Sequence, residues 1–167
     1  MNNVIETFDF EVGRVLLGKY EIILKLGTGW EGEVYKVREI ETGIERAAKF
    51  FFPHRNRRNR ESVNYAKKLH KLRSCSILIQ YHTQERMRFR GEVLPFLVSE
   101  YVEGELLSEF LKRQPGKRLS TFQGIHLLHA LAKGIQSIHN LREYHGDLHT
   151  ENVIVHRFGL GLSLIHI

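Results

Sequence analysis

The chain has 167 residues and a net charge of +6, and 42% of its residues are hydrophobic while 26% are charged. This length and balance predict one ordinary globular domain, or part of a larger one, built around a hydrophobic core. No apolar run approaches the roughly 20 residues of a membrane helix, and the start lacks the basic and apolar regions of a secretory signal. The single cysteine, Cys75, excludes an intrachain disulfide, so we expect a cytoplasmic protein without a membrane partner.

The first predicted elements are strands. An apolar run over residues 20–26 ends in a glycine cluster, and two alternating runs, 34–38 and 44–50, flank a turn at Gly43. Alternation on both sides of a glycine turn predicts an antiparallel hairpin.

A basic cluster follows the hairpin, with four arginines in residues 55–60. Surfaces that bind single-stranded nucleic acid combine basic with aromatic residues, and this cluster contains no aromatic residue. We therefore interpret it as a solvated loop and do not expect nucleic acid as a partner.

The rest of the chain changes from strands to helices. The elements predicted there are a helix over 60–72, strands over 76–84 and 95–102, and helices over 106–111 and 121–140. A sheet-rich first part and a helical second part predict an α+β protein with two lobes, the second starting near Gly104.

A glycine motif lies between the first two predicted strands. It reads G-x-G-x-x-G-x-V and consists of Gly27, Gly29, Gly32 and Val34. In a dinucleotide-binding fold such a motif opens a helix, whereas here a predicted strand follows it. This context favours a hairpin that lies over phosphates, which glycines allow the backbone to approach closely.

Lys49 lies on the next strand, fifteen positions after Val34 and directly after the small residues Ala47 and Ala48. An isolated lysine in a strand is usually a solvated residue. The small pair before it and the spacing from the glycines indicate a cation that binds phosphates.

Residues 145–152 read H-G-D-L-H-T-E-N, with Asp147 five positions before Asn152. Phosphoryl transfer to a hydroxyl needs a carboxylate that orients the hydroxyl and accepts its proton, and an amide oxygen that can ligate magnesium. With the glycine motif and Lys49 ahead of it in the same order, this segment resembles the catalytic loop H-R-D-x-x-x-x-N of eukaryotic-type protein kinases.

The resemblance covers about residues 20–155 and implies an α+β, protein-kinase-like bilobal fold. A small antiparallel-sheet lobe with helix C is followed by only the first part of the helical lobe. The predicted divisions are an N-terminal extension over 1–19, the sheet lobe and hinge over 20–102, the start of the helical lobe over 103–161, and a tail over 162–167.

The resemblance also implies a catalytic set and its cofactors, ATP and Mg²⁺, with a protein as the substrate. Asp147 would be the base, Lys49 would hold the α- and β-phosphates, and Asn152 would be a metal ligand. The expected reaction is transfer of the γ-phosphoryl group of ATP to serine or threonine.

Residues 97–104 resemble the hinge that joins the two kinase lobes. There the carbonyl of Glu100 and the amide of Val102 would bind adenine, Ala47 would pack on its face, and Ser99 would gate the pocket behind it. The cofactor-binding residues implied by the family are Gly27, Gly29, Gly32, Val34, Ala47, Lys49, Glu100 and Val102.

The helix-C glutamate that pairs with the lysine of the family is harder to assign. If Leu69 and Leu72 take core positions, Tyr65 falls where that glutamate normally lies. Glu61, one turn earlier, is the only carboxylate in the predicted helix. We choose Glu61 as the ion-pair candidate for Lys49.

Two residues of the catalytic loop depart from the protein-kinase pattern. Gly146 replaces an arginine, and His149 stands where serine/threonine kinases usually carry a lysine. H-G-D-L-H is common in small-molecule relatives such as aminoglycoside and choline kinases, which is the alternative function. The complete glycine motif, the hinge and the T-E-N ending favour the protein-kinase branch, and a nucleotide-binding pseudokinase remains a further alternative.

The end of the chain lacks the metal-binding D-F-G, expected about a dozen residues beyond Asn152. No aspartate follows Asp147. Residues 162–167 resemble the translation of a transposon end used as a sequencing adaptor, so we expect a non-native tail and a natural protein that continues. The chain as written is therefore expected to be inactive.

Overall fold

The computed structural model describes residues 5–156 and 162–164. Within these residues, no helix combines the length and the apolar character that a membrane crossing requires. The strands and helices belong to two compact units, which are described separately below.

Along the chain, the last stretch of the first unit ends at Tyr101, and the second unit resumes at Val102. This boundary lies within the predicted hinge over residues 97–104. The second unit also contains Leu69–Gln80, which interrupts the first unit in the chain. The predicted sheet lobe over residues 20–102 therefore includes a stretch that the structure groups with the other unit.

Six antiparallel strands form the sheet of the first unit, in the spatial order β1-β2-β3-β4-β6-β5. They are β1 (Val15–Leu16), β2 (Tyr20–Thr28), β3 (Gly32–Glu39), β4 (Glu45–Phe51), β5 (Tyr81–Phe89) and β6 (Glu92–Glu100). Helix α1 (Arg60–Lys71) follows β4. The predicted hairpin is confirmed as β3 and β4, and Gly43 between them has a φ of +70°, which glycine adopts without strain.

The strand predicted over residues 76–84 is wrong at its start, because β5 begins only at Tyr81. Before it, Cys75 and Leu78 are buried in the core of the second unit. The side-chain amide of Gln80 donates hydrogen bonds to the carbonyls of Cys75 and Leu78, at 3.3 and 2.8 Å. These contacts favour turns over an extended strand.

Residues of the predicted N-terminal extension belong to the core of the first unit. Ile5, Phe8 and Phe10 are all buried. The ring of Phe10 lies 4.9 Å from that of Phe50 and 5.3 Å from that of Phe89, both in edge-on contact. The segment before β1 therefore packs its own aromatic rings on those of the sheet, which would otherwise be exposed.

A buried carboxylate fastens this N-terminal segment to the sheet. Glu33 is fully buried and accepts hydrogen bonds from Lys25 Nζ at 2.6 Å, Tyr35 OH at 2.5 Å, Thr7 Oγ1 at 2.9 Å and the amide of Phe8 at 3.3 Å. Burial acts to raise the pKa of Glu33, but the hydrogen bonds from Lys25, Tyr35 and Thr7 outweigh it and hold that pKa below its usual value.

Among its described residues, the second unit combines two α-helices with a three-stranded sheet in the order β7-β8-β9. Its elements are β7 (Gly104–Leu106), α2 (Leu107–Arg113), α3 (Thr121–Asn140), β8 (Val153–His156) and β9 (Leu162–Leu164). Its buried core consists of Leu72, Cys75, Leu78, Leu107, Ile138, Val153 and Val155.

Strand β9 falls within the segment predicted to be a non-native tail. Its backbone pairs with β8 in antiparallel register, from Val153 opposite Leu164 to Val155 opposite Leu162. Residues 165–167 lie outside the described residues, and the non-native origin of the tail stays a prediction.

The long predicted helix is confirmed at both ends as α3. Its start is fixed by a capping box, in which the Ser120 hydroxyl accepts from the amide of Gln123 and the Gln123 side chain accepts from the amide of Ser120. One part of its apolar face is uncovered, because the exposed fractions of Phe122, Ile125 and Leu128 are 73%, 65% and 69%.

We expect the 167-residue chain to self-associate through this face of α3, since contiguous exposed apolar side chains promote association. Replacing Phe122, Ile125 and Leu128 together by glutamine, a good helix former, is expected to yield a monomer. Size-exclusion chromatography with light scattering measures the mass of both proteins.

The matched control makes the same exchange at Val12, Val15 and Ile44, three exposed apolar residues of the first unit. This control is expected to leave the association unchanged. A monomeric parent chain, or a control that dissociates as fully as the α3 variant, would contradict the assignment of the face.

Candidate functional site

The glycine motif forms the turn between β2 and β3. The strands pair up to the turn, with Gly27 opposite Val34 and Thr28 opposite Glu33, and the amide of Gly29 donates to the carbonyl of Gly32 at 2.8 Å. A strand, not a helix, follows the motif. The structure thus confirms the hairpin and excludes the helix start that a dinucleotide-binding motif requires.

The three glycines of the motif have different surroundings. A Cβ on Gly27 would meet nothing within 4 Å, and one on Gly29 would have the carbonyl oxygen of Gly32 as its nearest neighbour, at 4.0 Å. A Cβ on Gly32 would overlap the carbonyl oxygen of Phe50 on β4. Gly32 is therefore required by the sheet, whereas Gly27 and Gly29 leave backbone open to a ligand.

We expect Gly32→Ala to lower the free energy of unfolding by about 1–3 kcal/mol or more, because the new methyl group overlaps backbone. Gly27→Ala has room for its methyl group and serves as the control, with stability expected to stay near that of the parent chain. Urea denaturation of both variants measures the difference. Equal stabilities would mean that Gly32 does not contact β4 as described.

Lys49 lies directly across the hairpin from the glycine motif, opposite Val34 on β3. Its Nζ is 2.6 Å from Glu31 Oε2, and the side chain is 16% exposed. The Nζ also lies 4.6 Å from the ring centroid of Tyr65 on α1. The lysine is thus held at the glycine turn by a carboxylate and an aromatic ring.

The partner of Lys49 differs from the predicted one. Glu61 lies exposed in the first turn of α1, where a negative charge suits the amino end of a helix. One turn later, Tyr65 faces Lys49, so the helix presents a phenol at this point. Burial, and then the charge of Glu31, raise the pKa of Tyr65, which therefore stays neutral. The expected Lys49–Glu61 ion pair is corrected to Lys49–Glu31.

Strand β6 carries the predicted hinge residues at its end. Ala47 on β4 lies opposite Ser99, and Arg46 lies opposite Glu100, which is the last residue of β6. Residues 94–98 of this strand, just before Ser99, are buried, so this part of the strand is anchored in the core of its unit. Val102, the other predicted adenine contact, is the residue at which the second unit resumes.

The second unit brings Asp147 and Asn152 into direct contact. Asn152 is buried, and its Nδ2 donates to Asp147 Oδ2 at 2.9 Å and to the Asp147 carbonyl at 2.7 Å. The Asp147 side chain is half exposed. This arrangement leaves the carboxylate accessible, and it leaves Asn152 Oδ1 as the amide atom that can ligate a cation.

Gly146 and His149 have structural roles in this loop. Gly146 has a φ of +87°, a left-handed conformation that an arginine would adopt only with strain. His149 Nδ1 accepts from the amide of Glu151, and Nε2 lies 2.8 Å from Asn152 Nδ2 and 3.4 Å from Asp147 Oδ2. The sequence identified His149 only as a departure, and its contacts place it beside both candidate catalytic residues.

Glu31 and Tyr65 are the other residues of the site that the sequence did not assign. Glu31 lies inside the glycine motif, between two motif glycines, which is the only signal that could have identified it. Tyr65 was noted as occupying the position of a glutamate, but its contact with Lys49 depends on how α1 packs on β4.

A family model described as the protein kinase domain matches residues 20–164. The chain is 27% identical over 149 residues to the tyrosine-protein kinase SPK-1 of Girardia tigrina, covering 88% of this chain and 28% of that protein. It is 28% identical to the serine/threonine-protein kinase pkn2 of Myxococcus xanthus, covering 88% of this chain and 17% of that protein. The chain thus spans less than a third of these two curated relatives.

The fold is similar to that of solved kinase domains. A crystal structure of the Mycobacterium tuberculosis PknI kinase domain, a double mutant, matches with a TM-score of 0.72 and 18% sequence identity. The match covers 95% of this chain and 62% of that one. It shows the predicted bilobal fold, with part of the helical lobe.

Proposed function

The chain belongs to the protein kinase family, and on this premise we propose that the protein transfers the γ-phosphoryl group of ATP to serine or threonine hydroxyls of other proteins. The contact between the accessible carboxylate of Asp147 and the buried amide of Asn152 carries the proposal. A base for the hydroxyl and an amide ligand for magnesium are the two protein groups that this reaction needs side by side.

The first unit would bind the nucleotide. We propose that the open backbone at Gly27 and Gly29 receives the phosphates, with Gly32 and Val34 holding the turn against β4. Lys49, opposite Val34, would donate to the α- and β-phosphates.

The adenine would be bound at the end of β6. Ala47 would pack on its face, the carbonyl of Glu100 would accept a hydrogen bond from it, and the amide of Val102 would donate one. The support for this assignment is the register that sets Ala47 opposite Ser99 and places Glu100 at the strand end.

The second unit would act on the substrate hydroxyl. Asp147 would orient the hydroxyl and accept its proton, while Asn152, held by Asp147, would be a magnesium ligand. A magnesium ion bound there would offset the negative charge of the phosphates. We place the protein in the cytoplasm, where its single buried cysteine, Cys75, would stay reduced.

Phosphoryl transfer by the full-length protein tests the proposal. The protein is incubated with γ-labelled ATP and magnesium, with mixed protein substrates in one arm and aminoglycosides and choline in the other. We expect labelled phosphoserine or phosphothreonine, and no label with Asp147→Asn. Transfer to a small molecule but to no protein would support the small-molecule alternative, and nucleotide binding without any transfer would support the pseudokinase.

A further inference from the structure

The carboxylate that holds Lys49 belongs to the glycine turn. Glu31 Oε2 lies 2.6 Å from Lys49 Nζ, and the two side chains are 31% and 16% exposed. Partial burial of an ion pair reduces solvent screening, so this contact restrains the lysine more than a surface pair would.

Helix α1 has no carboxylate positioned to replace Glu31. Glu61 is its only acidic residue, and it is exposed in the first turn. The residue that reaches Lys49 from the helix is Tyr65, whose ring centroid is 4.6 Å from Nζ. This contact attracts the ammonium through the face of the ring, whereas the carboxylate of Glu31 offers an acceptor directed at Nζ.

The backbone around Glu31 is itself fastened to the sheet. The carbonyl of Glu31 accepts from the amide of Phe52 at 2.8 Å. Next to it, the guanidinium of Arg55 lies 3.3 Å from the ring centroid of Trp30, and Gly32 packs against the backbone of Phe50. Glu31 is therefore held between two attached neighbours, in a position from which its side chain can orient Lys49.

We propose that Glu31 is the positioning residue for Lys49 and takes the role that a helix carboxylate would otherwise have. This inference rests on the proposed function, in which Lys49 binds the phosphates. An ammonium group has three donors, so Lys49 can keep its bond to Glu31 while it donates to phosphate oxygens. Glu31 then links the glycine turn directly to the phosphate-binding lysine.

The test is Glu31→Gln in the full-length protein, with kcat and KM for ATP, the affinity for Mg–ATP by calorimetry, and the melting temperature as readouts. We expect kcat/KM for ATP to fall about 10–100-fold, since a misplaced reacting group costs that much. Glu31→Asp, which keeps the charge, is expected to recover part of the loss. The double variant Glu31→Gln/Tyr65→Glu moves the carboxylate from the glycine turn to α1. We expect Tyr65→Glu to raise kcat/KM for ATP more in the Glu31→Gln protein than in the parent protein.

Glu45→Gln is a closely matched control. Glu45 pairs with Lys36 at 2.7 Å, with exposed fractions of 39% and 15%, on the same hairpin but away from the glycine turn. We expect a similar small change in melting temperature and no loss of kcat/KM. Glu31→Gln activity equal to that of Glu45→Gln would overturn the inference, and so would a gain in activity, which would mean that Glu31 blocks Lys49.

The readouts separate this inference from the proposed function. If the parent protein transfers phosphate and the Glu31→Gln variant is equally active, the proposed function is supported and the role of Glu31 is overturned. A parent protein that transfers no phosphate but binds Mg–ATP more tightly than Glu31→Gln contradicts the function and supports the role. A parent protein that binds no Mg–ATP overturns both.

Discussion

Lys49→Met is expected to lower the rate of phosphoryl transfer about 100–1,000-fold while the protein stays folded. The ammonium of Lys49 would stabilise charge that develops on the phosphates, and removing one such donor typically costs that factor. Methionine keeps a flexible apolar side chain that can pack on the rings of Phe51 and Tyr65, which lie 5.1 and 4.6 Å from Lys49 Nζ. The measurement is kcat of the full-length protein, with a thermal melt of the same preparation.

Lys36→Met provides the control for this substitution. Lys36 lies on the adjacent strand, pairs with Glu45 at 2.7 Å and lies 4.3 Å from the ring centroid of Tyr101, so its surroundings resemble those of Lys49 without the glycine turn. We expect this variant to keep its activity. Full activity of Lys49→Met, or an equal loss in both variants, would contradict the assigned role of Lys49.

The elements that the sequence predicted well are those specified by local signals. Strands β3 and β4 alternate in hydrophobicity around Gly43, and this pattern fixes the register that sets Lys49 opposite Val34. Helix α3 has a regular apolar period and a capping box at Ser120, so both of its ends were predicted correctly. The loop over residues 145–152 has a sequence pattern specific enough to indicate Asp147 and Asn152 together.

The features that the sequence did not reveal depend on contacts between distant residues. Ile5, Phe8 and Phe10 form no strand or helix pattern, yet all three are buried, and rings of β4 and β5 contact those of Phe8 and Phe10. The ion pair of Lys49 was assigned to Glu61 because helix C supplies the glutamate in the family. Glu31 replaces it because the turn brings its side chain to Lys49, a distance that no local pattern encodes.

Glu33→Gln is expected to lower the free energy of unfolding by about 1–3 kcal/mol, the usual cost of leaving buried hydrogen-bonding groups without their partner. Glutamine replaces one acceptor oxygen with a donor, which would face the donors already aimed at that oxygen: Lys25 and Thr7 at Oε1, or Tyr35 at Oε2. The upper end of this loss is a substantial share of the about 5–15 kcal/mol that stabilises a typical domain. Urea denaturation at neutral pH measures the loss in the free energy of unfolding. Limited proteolysis at sites in the segment that precedes β1 reports whether this N-terminal segment detaches.

The acid dependence of stability gives Glu33→Gln a second, independent readout. Because the pKa of Glu33 is lowered from 4.5 in the folded protein, the unfolded state takes up this proton first as the pH falls. The stability that Glu33 confers is therefore present above about pH 4.5 and is lost as the pH falls through the lower, folded-state pKa. The parent protein is expected to lose stability over this range more steeply than the variant.

Glu21→Gln, which removes a more exposed partner of Arg38 at 3.6 Å, is the control and is expected to cost at most about 1 kcal/mol. Equal stability and equal acid dependence of the two variants would mean that Glu33 does not fasten the N-terminal segment to the sheet.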